Sequence, residues 1–198
     1  MQKTWKEIKA EVIALGFEKD KAYDKYKTSF LTAFNWAMTH IATTISPIYA
    51  EVEFVVKENI PETEKTEENI PETEKTEETS FFVGKIKLKD ICPDLFRVRG
   101  FTSNGVNVNL LIVNDSVYVT EPGIYTICYH KYPQKCEGGD DYVCEIDYSY
   151  ANIIAYLVAH RVWMDDDMSK SVLYWNTFEE LKNQLSGCSG ITVSGGWI

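Results

Sequence analysis

The sequence predicts an α+β protein: a helical bundle formed by N- and C-terminal helix pairs, with an inserted antiparallel β-sandwich or barrel-like domain. Three observations carry this expectation. Apolar residues recur at helical spacing over residues 1–47 and again over 148–187, whereas residues 48–147 hold short β-branched and aromatic runs punctuated by turn residues. Neither amphipathic pair can bury its stripe alone, so the two are expected to share one core. At 198 residues, 44% hydrophobic and 13% aromatic, the chain can bury a core that folds without staples.

The first helix opens on Thr4-Trp5-Lys6-Glu7, the S/T-x-x-E form of a capping box. Trp5, Ile8, Val12 and Leu15 follow on one face, with Gly16 as the stop. Thr28-Ser29 can cap a second helix in which Phe30, Ala33, Phe34, Ala37, Met38, Ile41 and Ile45 form the stripe, ending at Ser46-Pro47.

The β-region, residues 48–147, contains candidate strands at Val52–Val56, Phe81–Leu88, Leu95–Phe101, Val106–Val113, Val117–Thr120, Ile124–Tyr129 and Tyr142–Ile146. Turn signals separate them at Asn104-Gly105, Asn114-Asp115, Pro122-Gly123 and Gly138-Gly139. Between the first two runs, residues 58–78 hold the unit ENIPETEKTE twice in tandem, followed by Glu78. Nine Glu and two Lys give this stretch a charge of −7, so −10 less −7 leaves −3 for the other 177 residues. With Ile60 and Ile70 as its large apolar residues and Pro61 and Pro71 breaking regularity, the repeat is expected to be disordered. A tolerated loop expansion explains it better than a binding tail.

A third helix begins at Tyr148. Ile153, Ile154, Leu157, Val158, Val162 and Met164 cover more than one face, which places it in the core. Asp165-Asp166-Asp167 leads into a fourth helix over Met168–Leu185, with Tyr174, Phe178, Leu181 and Leu185 as its face and Ser186-Gly187 as its stop. Residues 188–198 read as a docking tail tipped by Ile191, Val193, Trp197 and Ile198.

Several constellations invite chemistry, and a plainer reading outweighs each. Five cysteines without a C-x-x-C pair fit free thiols in an unexported chain. Cys128, His130, Cys136 and Cys144 are zinc-competent, but their spacing departs from structural zinc knuckles, and alternation along strands accounts for them. The three aspartates suit a helix cap better than a cation site. His40, His130 and His160 accompany no nucleophile motif, and no glycine-rich phosphate loop is present. Lys85, Lys87, Lys89, Arg97 and Arg99, with Phe96 and Phe101, suggest a nucleic-acid platform, although alternate lysines more often form a strand's solvent face. These readings give no catalytic residue, cofactor or metal. No apolar run approaches the length of a membrane span, and the first residues lack a signal-peptide core.

The helical portion resembles the neck proteins of tailed bacteriophages, the head–tail adaptor or head-completion family. The resemblance rests on Trp5-Lys6-Glu7-Ile8-Lys9, Leu15-Gly16-Phe17, Ala33-Phe34-Asn35-Trp36-Ala37 and Ile41-Ala42. In the second half it rests on residues 150–163, the aspartate turn, and Tyr174-Trp175-Asn176-Thr177-Phe178-Glu179-Glu180-Leu181-Lys182. It covers roughly half the chain, and the large β-insert with its acidic duplication departs from it.

The resemblance implies a non-enzymatic virion protein, present in the host cytoplasm during assembly. It would form a homo-oligomeric ring between portal and tail proteins, through which DNA passes without specific binding. The third and fourth helices would supply subunit contacts, and Ile191, Val193, Trp197 and Ile198 would grip the portal or the next ring. The alternative is a tail-associated binding module whose β-domain recognises a ligand, a glycan or a partner protein, with Tyr118, Tyr125, Tyr129 and Tyr132 as candidate stacking residues. A hydrolase, with only scattered acids and histidines behind it, ranks last.

Overall fold

The first helix, α1 (Trp5–Ala14), starts where its capping box puts it: the Glu7 amide donates to Thr4 Oγ1 at 3.4 Å, and the Thr4 amide donates to Glu7 Oε2 at 2.8 Å. The structure, a computed structural model, describes residues 2–17, 21–57 and 84–188. The acidic duplication at 58–78 and the tail residues Ile191, Val193, Trp197 and Ile198 lie outside the described residues. Among the described residues the chain is α+β, with six helices and two antiparallel sheets. No helix there is long and apolar enough to cross a membrane.

The chain divides into two compact units, Met1–Ile48 with Tyr132–Ile198, and Tyr49–Lys131. The first holds α1, α2 (Lys21–Thr44), α4 (Tyr148–Ala151), α5 (Ile154–Trp163) and α6 (Met168–Cys188). Its core takes Trp5, Ile8 and Val12 from α1, and Phe30, Phe34, Met38 and Ile41 from α2. Ile154, Leu157 and Val158 come from α5 and Phe178 from α6, so the stripes of the N- and C-terminal helices are buried together.

Three local features differ from the sequence expectation. Helix α2 begins at Lys21 rather than at Thr28-Ser29, and the Thr32 hydroxyl bonds back to the Thr28 carbonyl from inside the helix. The third helix breaks after one turn: Asp147 caps α4 through the Ser149 amide at 2.8 Å. The Ile153 amide then bonds to the Tyr150 carbonyl, an i−3 contact, before α5 begins. The fourth helix runs past Ser186-Gly187 to Cys188.

Tyr142–Ile146 reads as a strand in sequence, yet it forms only a single bridge, Val143 with Thr4, flanked by Trp5 N to Tyr142 O at 2.8 Å and Cys144 N to Lys3 O at 2.9 Å. The stretch 132–147 groups with the helices, although the sequence places it in the β-domain. It is a strap, tied by Asn35, whose side-chain amide both donates to the Cys136 carbonyl at 2.9 Å and accepts from the Cys136 amide at 2.8 Å.

In the second unit, β1 (Ile48–Val56), β7 (Gly123–Lys131), β3 (Leu95–Ser103) and β4 (Val106–Val108) form one sheet in that order. A second sheet has the order β2 (Gly84–Lys87), β6 (Ser116–Val119), β5 (Leu111–Val113). A one-turn helix, α3 (Leu88–Ile91), follows β2. The run Val106–Val113 is two strands, not one: its first half pairs with β3 and its second with β6, so the chain changes sheet at Asn109-Leu110. Both sheets feed one core of Phe54, Val56, Phe101, Val117, Val119, Tyr125, Ile127 and Tyr129.

Among the described residues neither sheet closes, which removes the barrel alternative. Each sheet ends in a strand with one neighbour, β1 and β4 in one, β2 and β5 in the other.

Candidate interaction surface

Helices α5 and α6 form a hairpin around the aspartate turn. The amides of Asp166 and Asp167 bond to the Trp163 carbonyl at 3.1 and 2.8 Å, and Asp167 Oδ1 accepts from the Ser169 and Lys170 amides at 3.1 and 3.2 Å. Asp167 is thus the cap of α6, where a carboxylate also meets the positive end of the helix dipole. The Asp166 carboxylate accepts from the Tyr26 hydroxyl of α2. Three consecutive aspartates therefore serve turn and cap. Among the described residues, no group of His, Cys, Asp and Glu is placed to hold a metal.

The hairpin turns one stripe of α6 inward, with Ser171 and Phe178 fully buried and Tyr174 donating to the Leu15 carbonyl. A second stripe points outward. Met164, Met168, Val172 and Leu173 are 38%, 60%, 48% and 59% exposed. With His160, Ser171 and Trp175, the first three of these line a shallow apolar groove of about 240 Å³. Met164, Met168 and Val172 share one groove, and Leu173 is exposed on the same helix as the last two, so this surface is the candidate contact face.

Beside the groove, His160 is fixed by the backbone and hydroxyl of Ser171. The Ser171 hydroxyl donates to the His160 carbonyl at 3.1 Å, so His160 Nδ1 faces only acceptors, Ser171 O at 3.0 Å and Oγ at 2.9 Å, and carries the proton. That is the reverse of a base-and-nucleophile pair, and the hydroxyl is wholly buried. The rings of Trp36, His40, His160 and Trp175 form one cluster, with Trp36 stacked on His40 at 5.4 Å and His160 at 5.0 Å from Trp175. Burial, and then the Lys182 ammonium, hold the His40 pKa below its ordinary value, with Glu179 opposing.

The other residues singled out by sequence scatter. Cys128 and His130 lie on β7, whereas Cys136 and Cys144 belong to the other unit. Burial raises the thiol pKa values of Cys92, Cys128, Cys136 and Cys144, the last to about 11. Each is held as a thiol, the less nucleophilic form. Lys85 and Lys87 lie on β2 and Arg97 and Arg99 on β3, two different sheets, and Phe101 is a core residue, so the basic platform does not assemble. Tyr125 and Tyr129 are likewise buried, Tyr129 donating to Asp94 at 2.9 Å, and are not available to stack on a sugar.

His130 is 6% exposed, edge-on to Tyr49 at 4.7 Å, and its Nε2 has no hydrogen-bond partner among the described residues. Burial, then Arg99 and Arg97, push its pKa below the ordinary 6.5. The unfolded chain therefore takes up this proton first as pH falls, and stability is lost on acidification through and below 6.5. An NMR titration is expected to place the His130 midpoint under 6.5, and His130→Phe is expected to flatten part of the acid loss; a midpoint at or above 6.5 would contradict the burial argument.

No family model matches this chain, and no match is found among curated proteins. The outward residues Met164, Met168, Val172 and Leu173 are not among those the sequence reading singles out for contact, and that reading places Met164 in a buried helix. The signal was present: Met164, Met168 and Val172 recur at four-residue spacing beside a core face already supplied by Tyr174, Phe178, Leu181 and Leu185.

Proposed function

We propose that this protein is a structural subunit of a tailed-phage virion, a head–tail adaptor that forms a homo-oligomeric ring between portal and tail. On this reading the first unit is a helical bundle made by the N- and C-terminal helix pairs, and the second is a β-sandwich looped out between them. The observation that carries the reading is the apolar face of α5 and α6. The first unit already closes its own core, yet Met164, Met168, Val172 and Leu173 remain at the surface, on the helices expected to make subunit contacts.

Portal and tail proteins are the partners, and the tail residues Ile191, Val193, Trp197 and Ile198 are the apolar anchors offered to the portal. DNA passes through without specific binding, a role compatible with a body that carries only −3 outside the acidic duplication, since a strongly basic lumen would hold phosphate. Negative-stain imaging of the purified chain, alone and mixed with portal rings, tests this. Rings, or decoration of the portal, are expected. A strictly monomeric chain that makes no portal contact at high concentration overturns the proposal.

A further inference from the structure

The four edge strands of the second unit are not alike. Edges β1 and β2 carry charge, Glu51 and Glu53 on one, Lys85 and Lys87 on the other, the usual guard against strand-to-strand association. Edges β4 and β5 carry none. From Gly100 to Asn114 there is no Asp, Glu, Lys or Arg, in a chain that is 25% charged. On this unguarded side Val106, Leu111, Ile112 and Val113 are 66%, 53%, 40% and 40% exposed.

The backbone of β5 is equally open. It pairs with β6 through Leu111·Tyr118, Ile112·Val117 and Val113·Ser116, and has no strand on its other side among the described residues. The loop between them is two residues, Asn114 and Asp115, both at positive φ of 50° and 57°, as a type I′ turn requires. The residues flanking such a turn are a hydrogen-bonded pair, so the next pair, Ile112·Val117, is not. The N–H and C=O of Ile112 consequently point away from β6, into the open edge.

We propose that this edge joins two copies of the chain, β5 against β5, antiparallel, about a two-fold axis through Ile112. The strand is self-complementary in that arrangement. Ile112 of each copy donates its amide to the other's carbonyl and accepts in return, and Leu111 of one copy faces Val113 of the other. The two three-stranded sheets become one of six strands, order β2-β6-β5-β5-β6-β2. The absence of charge from residues 100–114 favours a second identical edge as the occupant, because the pairing brings no like charges face to face.

So short a strand buries less than a standard interface, so the pair is weak and concentration-dependent. An isologous contact pairs copies two by two, whereas a ring needs a head-to-tail contact through other patches, so this inference stands or falls apart from the neck reading.

Sedimentation over a concentration series, with hydrogen exchange of the Ile112 amide, tests it on the full chain. A reversible dimer is expected, in which that amide slows as concentration rises. Ile112→Pro removes the outward donor without touching the β6 ladder, and Ile112→Lys guards the edge; each is expected to weaken association at least about tenfold. An unchanged backbone spectrum for either variant separates lost association from lost folding. A chain monomeric at every concentration overturns the inference, as does an Ile112 amide already protected in the monomer. So does a dimerisation step that survives both substitutions; a larger oligomer that survives them and is lost in Val172→Lys is the separate contact of the α5–α6 face.

Discussion

Phe34→Ala is expected to cost about 3–5 kcal/mol, the range for deleting a buried aromatic ring. Phe34 is fully buried on α2, with its ring 4.5 Å from Trp5 of α1 and edge-on to Tyr142 of the strap at 6.1 Å. Its removal opens a cavity where three chain segments distant in sequence meet, so little can collapse to fill it. Trp5, Trp36, Trp163 and Trp175 all lie in the first unit, and residues 49–131 contain no tryptophan. The fifth, Trp197, also falls outside residues 49–131, so urea denaturation followed by tryptophan fluorescence reports the first unit and not the second. Leu173→Ala, at a position 59% exposed, serves as the comparison and is expected to stay within about 0.5 kcal/mol. A Phe34→Ala loss no larger than that of Leu173→Ala would show that the N-terminal helices do not depend on a shared core.

That core was the most legible part of the sequence, because its signal is local and repeated. Thr4 and Glu7 announce the start of α1, Gly16 its end with φ 114°, and the stripe from Phe30 to Ile41 is buried as spaced. The failures share a cause: local pattern says nothing about what lies alongside. Tyr142–Ile146 has the composition of a strand, but the chain beside it is only Lys3 to Trp5, which turns at once into α1, so a single bridge and a strap result. Val106–Val113 reads as one run, and only the sheet order reveals that its halves serve different sheets. Residues 21–27 offer charge and tyrosine but no apolar stripe, so the first two turns of α2 gave no sign of themselves.

Site residues followed the same logic. Lys85, Lys87, Arg97 and Arg99 are near in sequence and land on separate sheets, while Cys128 and Cys136, eight positions apart, land in separate units. The aspartate turn was readable because a cap is a local device, and Asp167 does cap α6. The exposed stripe beside it required knowing that one face of α6 suffices for the core. Burial on Phe178 and Ser171 leaves Met168 and Val172 without an internal role.

Val172→Lys tests that stripe with the larger effect on assembly. At 48% exposed, the position can accept lysine with a stability change within about 0.5 kcal/mol, because the long side chain can carry its ammonium into water. If copies meet through the α5–α6 face, the same ammonium is trapped in an apolar groove lined by Met164, Met168 and Trp175 with no carboxylate among the lining residues. An unpaired buried charge costs several kcal/mol, so association is expected to weaken by about a hundredfold or more. Val172→Leu keeps the surface apolar and is expected to assemble as the unaltered chain does. Mass photometry of the three proteins separates the cases: a lysine variant that retains the full oligomer would remove the α5–α6 face from the assembly. An oligomer lost equally in the leucine variant would mean that shape, rather than desolvation of charge, sets the contact.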